Sequence, residues 1–550
     1  MFGRDGLAVA DGFEATVCSV NRSRIDSPMK ILLVSPEFAE SFWSLSRALR
    51  IIKRKSLLPP LGLLTVAAML PEHWEKRLID INVEPLTDAD LAWADVVFLG
   101  GLTIQWAGAE KVIARCKAMG KKTVAGGPLF TAAYALFQDV DHFVLNEAEL
   151  TMPALVADLE KGTPRRMYRS RELADMRTTP TPLWHLAKLK KYAVVGIQYS
   201  RGCPFDCDFC NVTATLGRSP RVKDASQIIK ELDDLYAAGW RERVFFVDDN
   251  LIGHKPAAKK ELFPALIDWQ KSYRARGRGH LPFCTQVSMN LADDEKMTRQ
   301  MVEAGFDTVF IGIESSDPAS LEECSKKQNC NRDMVADIKT LQRAGLEVQG
   351  GFIVGFDHDT ADVFRQQVDF IAESGIVTAM VGQLQAAPGT RLKERLASEG
   401  RLQRGTLGHN TDGSTNFEPT MGLKVLRDGH AWVLRTIFSP RIYYKRIRTL
   451  LREYPSPAVR RRLTRSDFGG LWRAMISFGI IGSERVEYWK LLVWTLWHKP
   501  RLLAMAVRLA AIGHHHRTMS DQLNAALAKT QASEAAAAVI PTPTEPALAG

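Results

Sequence analysis

Cysteine is scarce in this chain, eight in 550 residues, which is far too sparse for a disulfide scaffold and points to a reducing compartment. The first residues lack the basic stretch and apolar core of a secretory leader, so export is not expected. No apolar run reaches the ~20 residues of a membrane span; the strongest, from Tyr488 to Trp497, is broken by His498-Lys499-Pro500. There is no Gly-x-Gly-x-x-Gly after the first apolar run and no Walker loop, which removes the main support for nicotinamide or nucleoside triphosphate chemistry. A nucleic-acid partner is not expected.

What is present is ordinary for a chain that folds in water: 46% hydrophobic and 24% charged residues, with 72 Lys and Arg against 62 Asp and Glu. At ~100–200 residues per domain the length implies about three to four domains. Residues 1–28 show no periodicity and read as a disordered extension, or Met29 as the true start, because Met29-Lys30 leads straight into the apolar run Ile31-Leu32-Leu33-Val34. Over 29–165, strand-length runs at 31–35, 77–81, 96–100, 122–126 and 142–145 alternate with longer segments. This is the pattern of a doubly wound, Rossmann-like α/β domain, whose ligands lie beyond the carboxyl ends of its strands. Glycines stand there, at Gly100-Gly101 and Gly126-Gly127, and either admit a large ligand or make tight turns.

After a linker at 166–190, the segment 191–400 repeats a cadence: Ala238-Gly239-Trp240, Ala304-Gly305-Phe306, Ala344-Gly345-Leu346 and Ser374-Gly375-Ile376. Glycine just past a helix adopts the left-handed cap at little cost, so each marks a helix-to-strand turn. With strands at 193–200, 244–248, 284–289, 308–314, 348–355 and 378–385 this predicts a partial (βα)6 barrel of the TIM type, with its functional groups on strand ends and following loops. The remainder, 401–519, is expected to be a basic, mainly helical domain, in which Lys and Arg outnumber Asp and Glu by more than two to one amid Trp and Tyr. It either packs its own core or docks on a membrane or apolar substrate. His514-His515-His516 reads as a solvated cap, and 520–550 as a disordered tail.

Three cysteines, Cys203, Cys207 and Cys210, follow the first barrel strand within one loop. Such spacing strains a disulfide and leaves an odd thiol, but lets three thiolates converge on a soft metal centre. Structural zinc wants a fourth Cys or His, which the loop lacks. An iron–sulfur cube with three protein thiolates fits better and leaves one iron open.

Cys-x3-Cys-x2-Cys with Phe209 before the last cysteine, set after the first strand of a partial barrel, resembles the radical S-adenosylmethionine (SAM) enzymes. The resemblance implies a [4Fe–4S] cluster on these catalytic thiolates, SAM on the open iron, and electron-driven cleavage to a 5′-deoxyadenosyl radical. It further implies polar contacts to SAM from Asp249, Asn250 and Glu314, and adenine contacts around Gly351, Ile353 and Gly355; no role falls to His358, which stands where relatives often have Glu. The domain ahead of the barrel resembles the cobalamin-binding subclass, through Pro59-Pro60-Leu61-Gly62-Leu63-Leu64 and Gly126-Gly127-Pro128, with Thr103, Gly126 and Gly127 as cobalamin contacts. No Asp-x-His-x-x-Gly supplies a lower cobalt ligand, and Asn146-Glu147-Ala148-Glu149 replaces the Gly-Glu-Gly-Glu of relatives.

The implied activity is cobalamin-dependent radical SAM methyl transfer to an unactivated carbon. The basic C-terminal part resembles the extension of hopanoid C-2 methylases, which implies a lipid or polycyclic substrate such as a hopanoid. Flavodoxin or ferredoxin would supply electrons, and the enzyme would be cytoplasmic, with peripheral association at the inner membrane face. An oxidative cyclase of the same cofactor class and a non-catalytic cobalamin or redox sensor are the alternatives.

Overall fold

The computed structural model describes residues 28–277, 279–403, 414–456 and 465–539; residues 1–27 of the expected extension at 1–28, and 540–550 of the expected tail, lie outside them. Strands β1 (Lys30–Ser35), β2 (Glu75–Asp80), β3 (Val96–Gly100), β4 (Lys122–Gly126), β5 (His142–Leu145) and β6 (Met167–Arg169) form one sheet in the order β2-β1-β3-β4-β5-β6. Every pairing is parallel. The order reverses at β1, so a crevice opens between β1 and β3 at their carboxyl ends. Burial along β1 and β3 is nearly continuous, as expected of strands covered by helices on both faces. Only β6 was not anticipated: its three residues, Met-Tyr-Arg, are too few for a periodic signal. It lies in the stretch expected as a linker, where Trp184 is also buried in the core.

The second sheet contains β7 (Val195–Ile197), then, after a two-stranded antiparallel ribbon of β8 (Ser200–Arg201) and β9 (Arg221–Val222), the strands β10 (Val244–Phe246), β11 (Phe283–Val287), β12 (Phe306–Glu314), β13 (Glu347–Val354) and β14 (Ala379–Gln383). Its order, β7-β10-β11-β12-β13-β14, is sequential and parallel, and the two end strands are not paired with each other: a six-stranded open barrel. Helices ending at Gly305, Gly345 and Gly375 take left-handed caps there, as the cadence predicts. The open edge at β7 is covered by the N-terminal domain, whose Ser56 and Leu57 carbonyls accept from the Ala193 and Val194 amides at 3.2 and 2.9 Å.

Along β11 and β13, fully buried residues alternate with half-buried ones. The buried set packs on the helices, and the half-buried set lines a lumen. The lumen's base is closed by ion pairs, Arg243 with Asp307 and Arg508 with Glu347.

Of the C-terminal helices Leu423–Ile437, Pro440–Glu453, Arg465–Ala474, Arg485–His498 and Leu503–Val539, the first packs on β14, and the others pack on one another, on the barrel helices Met334–Ala344 and Val363–Ser374, and on Ser46–Ile51. The last helix also grips the N-terminal domain, where His515 Nε2 pairs with the Ser41 carbonyl at 3.1 Å and His516 lies among Phe42 and Phe438. His515 and His516 are thus buried rather than a solvated cap. Three consecutive helical residues point around the helix, and this helix is enclosed on several sides. Its continuation to Val539 likewise replaces the first part of the expected tail, because the Ala-rich run is a strong helix former.

Candidate active site

The cysteine loop leaves β7 through Tyr199 and Ser200, both held by the buried carboxylate of Asp248 at the end of β10: the Tyr199 amide donates at 3.2 Å and the Ser200 hydroxyl at 2.6 Å. Burial outweighs these bonds and pushes Asp248 up to about 7. Gly202 then turns with φ 94°, and a Cβ there would lie 2.9 Å from the Gly217 carbonyl, so only glycine fits. Farther along, the Asp208 amide donates to Cys324 O and the Leu392 amide to Asp208 O, each at 3.1 Å. Phe209 packs on Phe356 with ring centroids 6.2 Å apart. The loop is therefore gripped by the segments that follow β12, β13 and β14.

Within it Cys207 is buried and Cys203 and Cys210 are half-buried. Burial pushes the thiols of Cys207 and Cys210 up, the latter to about 11, while the Lys326 ammonium pulls both down. Burial thus keeps these two as thiols until a bound cation displaces their protons. Asn250 Nδ2 lies 4.0 Å from Cys203 Sγ and Gln328 Nε2 3.8 Å from Cys207 Sγ, so amide donors face the sulfurs. Among the described residues no three Cys, His, Asp or Glu side chains close on one ion. A cubane takes each thiolate on a separate iron, and this donor set suits it.

The predicted SAM contacts gather beside the loop. Asn250 is buried and bonds Ser288 Oγ at 3.2 Å, whereas Asp249 is exposed. Glu314 ends β12 at φ 66° and receives Lys326 Nζ at 2.7 Å, with both side chains nearly buried. Burial would lower the lysine, but Glu314 and Cys207 hold it above its ordinary value. Lys326 escaped the sequence reading, since it stands in no motif; only its position twelve residues after Glu314 is suggestive. Gly351 faces the lumen, where a Cβ would meet Phe310 at 2.8 Å, and Ile353 lines the same side, its carbonyl accepting from Gln367 Nε2 at 2.8 Å. The turn at Gly355 (φ 105°) is fixed by Asp359, which accepts from the Gly355 and Phe356 amides at 2.8 and 3.1 Å. His358 instead pairs with Glu323.

At the other sheet, Gly126 and Gly127 close the end of β4. A Cβ on Gly126 would lie 2.9 Å from Val144 O, and Gly127 has φ 91° with Gly101 O 3.3 Å from its Cβ position. Tight packing of backbone on backbone requires both; Thr103, half-buried, opens the short helical turn that follows β3. Next to it, at the end of β5, Glu147 and Glu149 reach the cysteine ribbon. Arg201, on β8, donates to Glu147 at 2.8 Å and to Glu149 at 2.9 Å, and Arg221, on β9, donates to Glu147 at 2.8 Å. The two carboxylates are about 5% exposed, and the pairs balance in charge. Burial raises Glu149, but Arg201 outweighs it and holds it below the usual range.

The chain matches three families in series: a B12 binding domain over 48–156, the radical SAM superfamily over 197–371 and a domain of unknown function over 390–529. An uncharacterised methyltransferase of Synechocystis sp. is 36% identical over 88% of this chain and 91% of its own length. The chain belongs to the cobalamin-binding radical SAM methyltransferases. A second relative of this methyltransferase, the hopanoid C-2 methylase of Rhodopseudomonas palustris, is 35% identical over 68% of this chain and 71% of its own. An anaerobic magnesium-protoporphyrin IX monomethyl ester cyclase of Synechocystis sp. is more distant, at 24% identity over 55% of this chain. Among solved structures, the cobalamin-dependent SAM radical enzyme OxsB shares the fold, with a TM-score of 0.58 at 14% identity over 95% of this chain and 82% of that one. The methyltransferase thus has domains for cobalamin and for SAM with an iron–sulfur cluster, and they meet at the Glu147–Arg201 junction.

Proposed function

We propose that this methyltransferase alkylates an unactivated carbon of an apolar, polycyclic or lipid substrate, of which a hopanoid is an example, held in the barrel lumen. The observation that carries this reading is the lumen wall itself. Phe245, Phe310 and Ile353 are half-buried on its strands beside Cys284, Gln286 and Gln349, and Trp43 from the N-terminal domain lies 5.6 Å from the Phe310 ring. Such a chamber, aromatic and aliphatic groups with uncharged amides among them, favours a substrate without charge.

When bound, the cluster and SAM supply hydrogen abstraction and cobalamin carries the methyl group. Cys203, Cys207 and Cys210 hold the cluster, and Asn250, Glu314 and Lys326 orient the amino and carboxylate groups of SAM. The opposed charges of Glu314 and Lys326 suit these two groups: Glu314 would accept from the amino group, and Lys326 would pair with the carboxylate. Asp249 adds an acceptor at the mouth. The backbone from Gly351 to Gly355 receives the adenine, and Thr103, Gly126 and Gly127 form the floor for cobalamin. Glu147 and Glu149 tie that floor to the cysteine ribbon, fixing one cofactor site relative to the other.

An electron donor of the flavodoxin or ferredoxin class completes the system. No helix among the described residues is long and apolar enough to cross a membrane, so access to a lipid substrate calls for peripheral attachment at the cytoplasmic face.

The test is twofold. Anaerobically reconstituted protein is expected to release 5′-deoxyadenosine from SAM, which a cobalamin or redox sensor would not do. A deletion strain is expected to lose a methylated lipid relative to its parent. An unchanged lipid profile with an altered pigment ring would move the substrate to the cyclase side.

A further inference from the structure

The helix Arg485–His498 is apolar on two opposite sides. Tyr488, Leu491, Leu492 and Thr495 are buried against the neighbouring helices. On the other side Val486, Trp489, Val493, Leu496 and Trp497, spaced three or four residues apart, form a second stripe that is exposed, Trp497 by 84%. Trp489 is fixed there by its indole N–H, which donates to Gly479 O at 2.9 Å. The preceding turn adds Ile480 and Ile481, the latter 75% exposed. Helices of folded domains ordinarily bury one apolar stripe and wet the other side. An apolar surface this continuous marks an interaction site.

Charge identifies what covers it. On a helical wheel Arg485 and Lys490 flank the stripe on its two sides, and both are exposed, as is Arg501 just beyond the helix. From 468 to 510 the only carboxylates are Glu484, which is buried and paired with His514 and Arg517, and half-buried Glu487, which is paired with Lys490. An apolar strip with tryptophans, edged by cations and free of exposed carboxylates, matches the boundary between anionic headgroups and acyl chains.

We infer that the outer face of Arg485–His498, with Ile480 and Ile481, is the surface by which this enzyme docks on an anionic phospholipid bilayer. The inference deepens the apolar-substrate reading above and rests on it. Docking here would bring the enzyme to the phase that holds an apolar substrate.

The full chain is tested by flotation with vesicles of phosphatidylglycerol and phosphatidylcholine, and with phosphatidylcholine alone. The parent should float with the anionic vesicles and be released at high salt, where screening shortens to ~3 Å at 1 M. The L496E/W497E variant should lose at least about tenfold in binding, because two large apolar groups no longer enter the interface. R485Q/K490Q should lose about fivefold per charge removed. Unchanged binding by L496E/W497E, or equal binding to neutral vesicles, overturns the proposal. So does a concentration-dependent dimer in solution that L496E/W497E dissolves, since the face would then join two copies. Both variants, their folding checked by thermal melts, should still release 5′-deoxyadenosine from SAM. Failure of the parent to do so refutes the enzymatic reading instead of the docking face.

Discussion

The two six-stranded parallel sheets are made from the same βα unit, yet they hold their sites in different ways. In the first the chain reverses at β1, so the sheet stays open and both faces are covered; β1 and β3 are buried nearly throughout. A ligand has no place on such a sheet except at its strand ends, where Gly126 and Gly127 let backbone pack on backbone. In the second the chain never reverses, the sheet curls, and alternate residues of β11 and β13 are left half-buried around a lumen. In the proposed function the reaction chamber would be the inside of one sheet, and the cobalamin floor the carboxyl end of the other. Burial differs accordingly: it is nearly continuous along β1 and β3 and alternates along β11 and β13.

The sharpest way to separate the two sites is to remove a cluster ligand. Cys207→Ala is expected to drop SAM cleavage to background and to lower iron content, while cobalamin binding, read by its visible spectrum, is retained; loss of both would show that the sheets are not independent. At the junction, Glu147→Ala leaves Arg201 and Arg221 short of a partner in a buried place. Breaking such a pair costs about 3–5 kcal/mol, so thermal unfolding should move down strongly and SAM cleavage should become salt-sensitive. A smaller effect is expected from Gly126→Ala: its methyl group would meet the backbone oxygen of Val144, an overpacking of about 1–3 kcal/mol. It should weaken cobalamin retention and leave iron content unchanged, whereas Gly62→Ala, with nothing within 4 Å, should do neither.

The mildest prediction is one of pH. Burial raises the folded-state pKa of Asp248 from 3.8 to about 7. Its contribution to stability is therefore fully present below the ordinary value and is lost as pH rises through about 7. Asp248→Asn stays neutral, so its melting temperature relative to the parent should rise between about pH 5 and pH 8; a constant difference would mean that the carboxyl is already charged in the folded protein.

Much of this architecture is local information. Apolar runs of strand length, each ended by Gly, Pro or a polar cluster, located five strands of the first sheet and all six of the second, because run length and the residues that end a run are written along the chain. The cysteine motif is likewise contiguous, and its position after the first barrel strand could be read without coordinates. The helix cadence at Gly305, Gly345 and Gly375 belongs to the same class, since a left-handed cap is a property of one residue.

The rest required the folded chain. Lys326 meets Glu314 because the segment after β12 turns back over the cysteine loop, and no periodicity reports that. Glu147 finds Arg201 across 54 residues and a domain boundary. His515 and His516 are buried because the N-terminal segment around Phe42 lies against the last helix. The helix Arg485–His498 is apolar on two sides, and only packing decided which side meets the core. Periodicity states which side chains an element would keep from water; which elements then supply that shelter is settled by long-range packing, and so the sequence by itself determined the strands, the helix turns and the cysteine loop, while tertiary structure alone decided the charged junction, the Lys326 pair and the face left exposed.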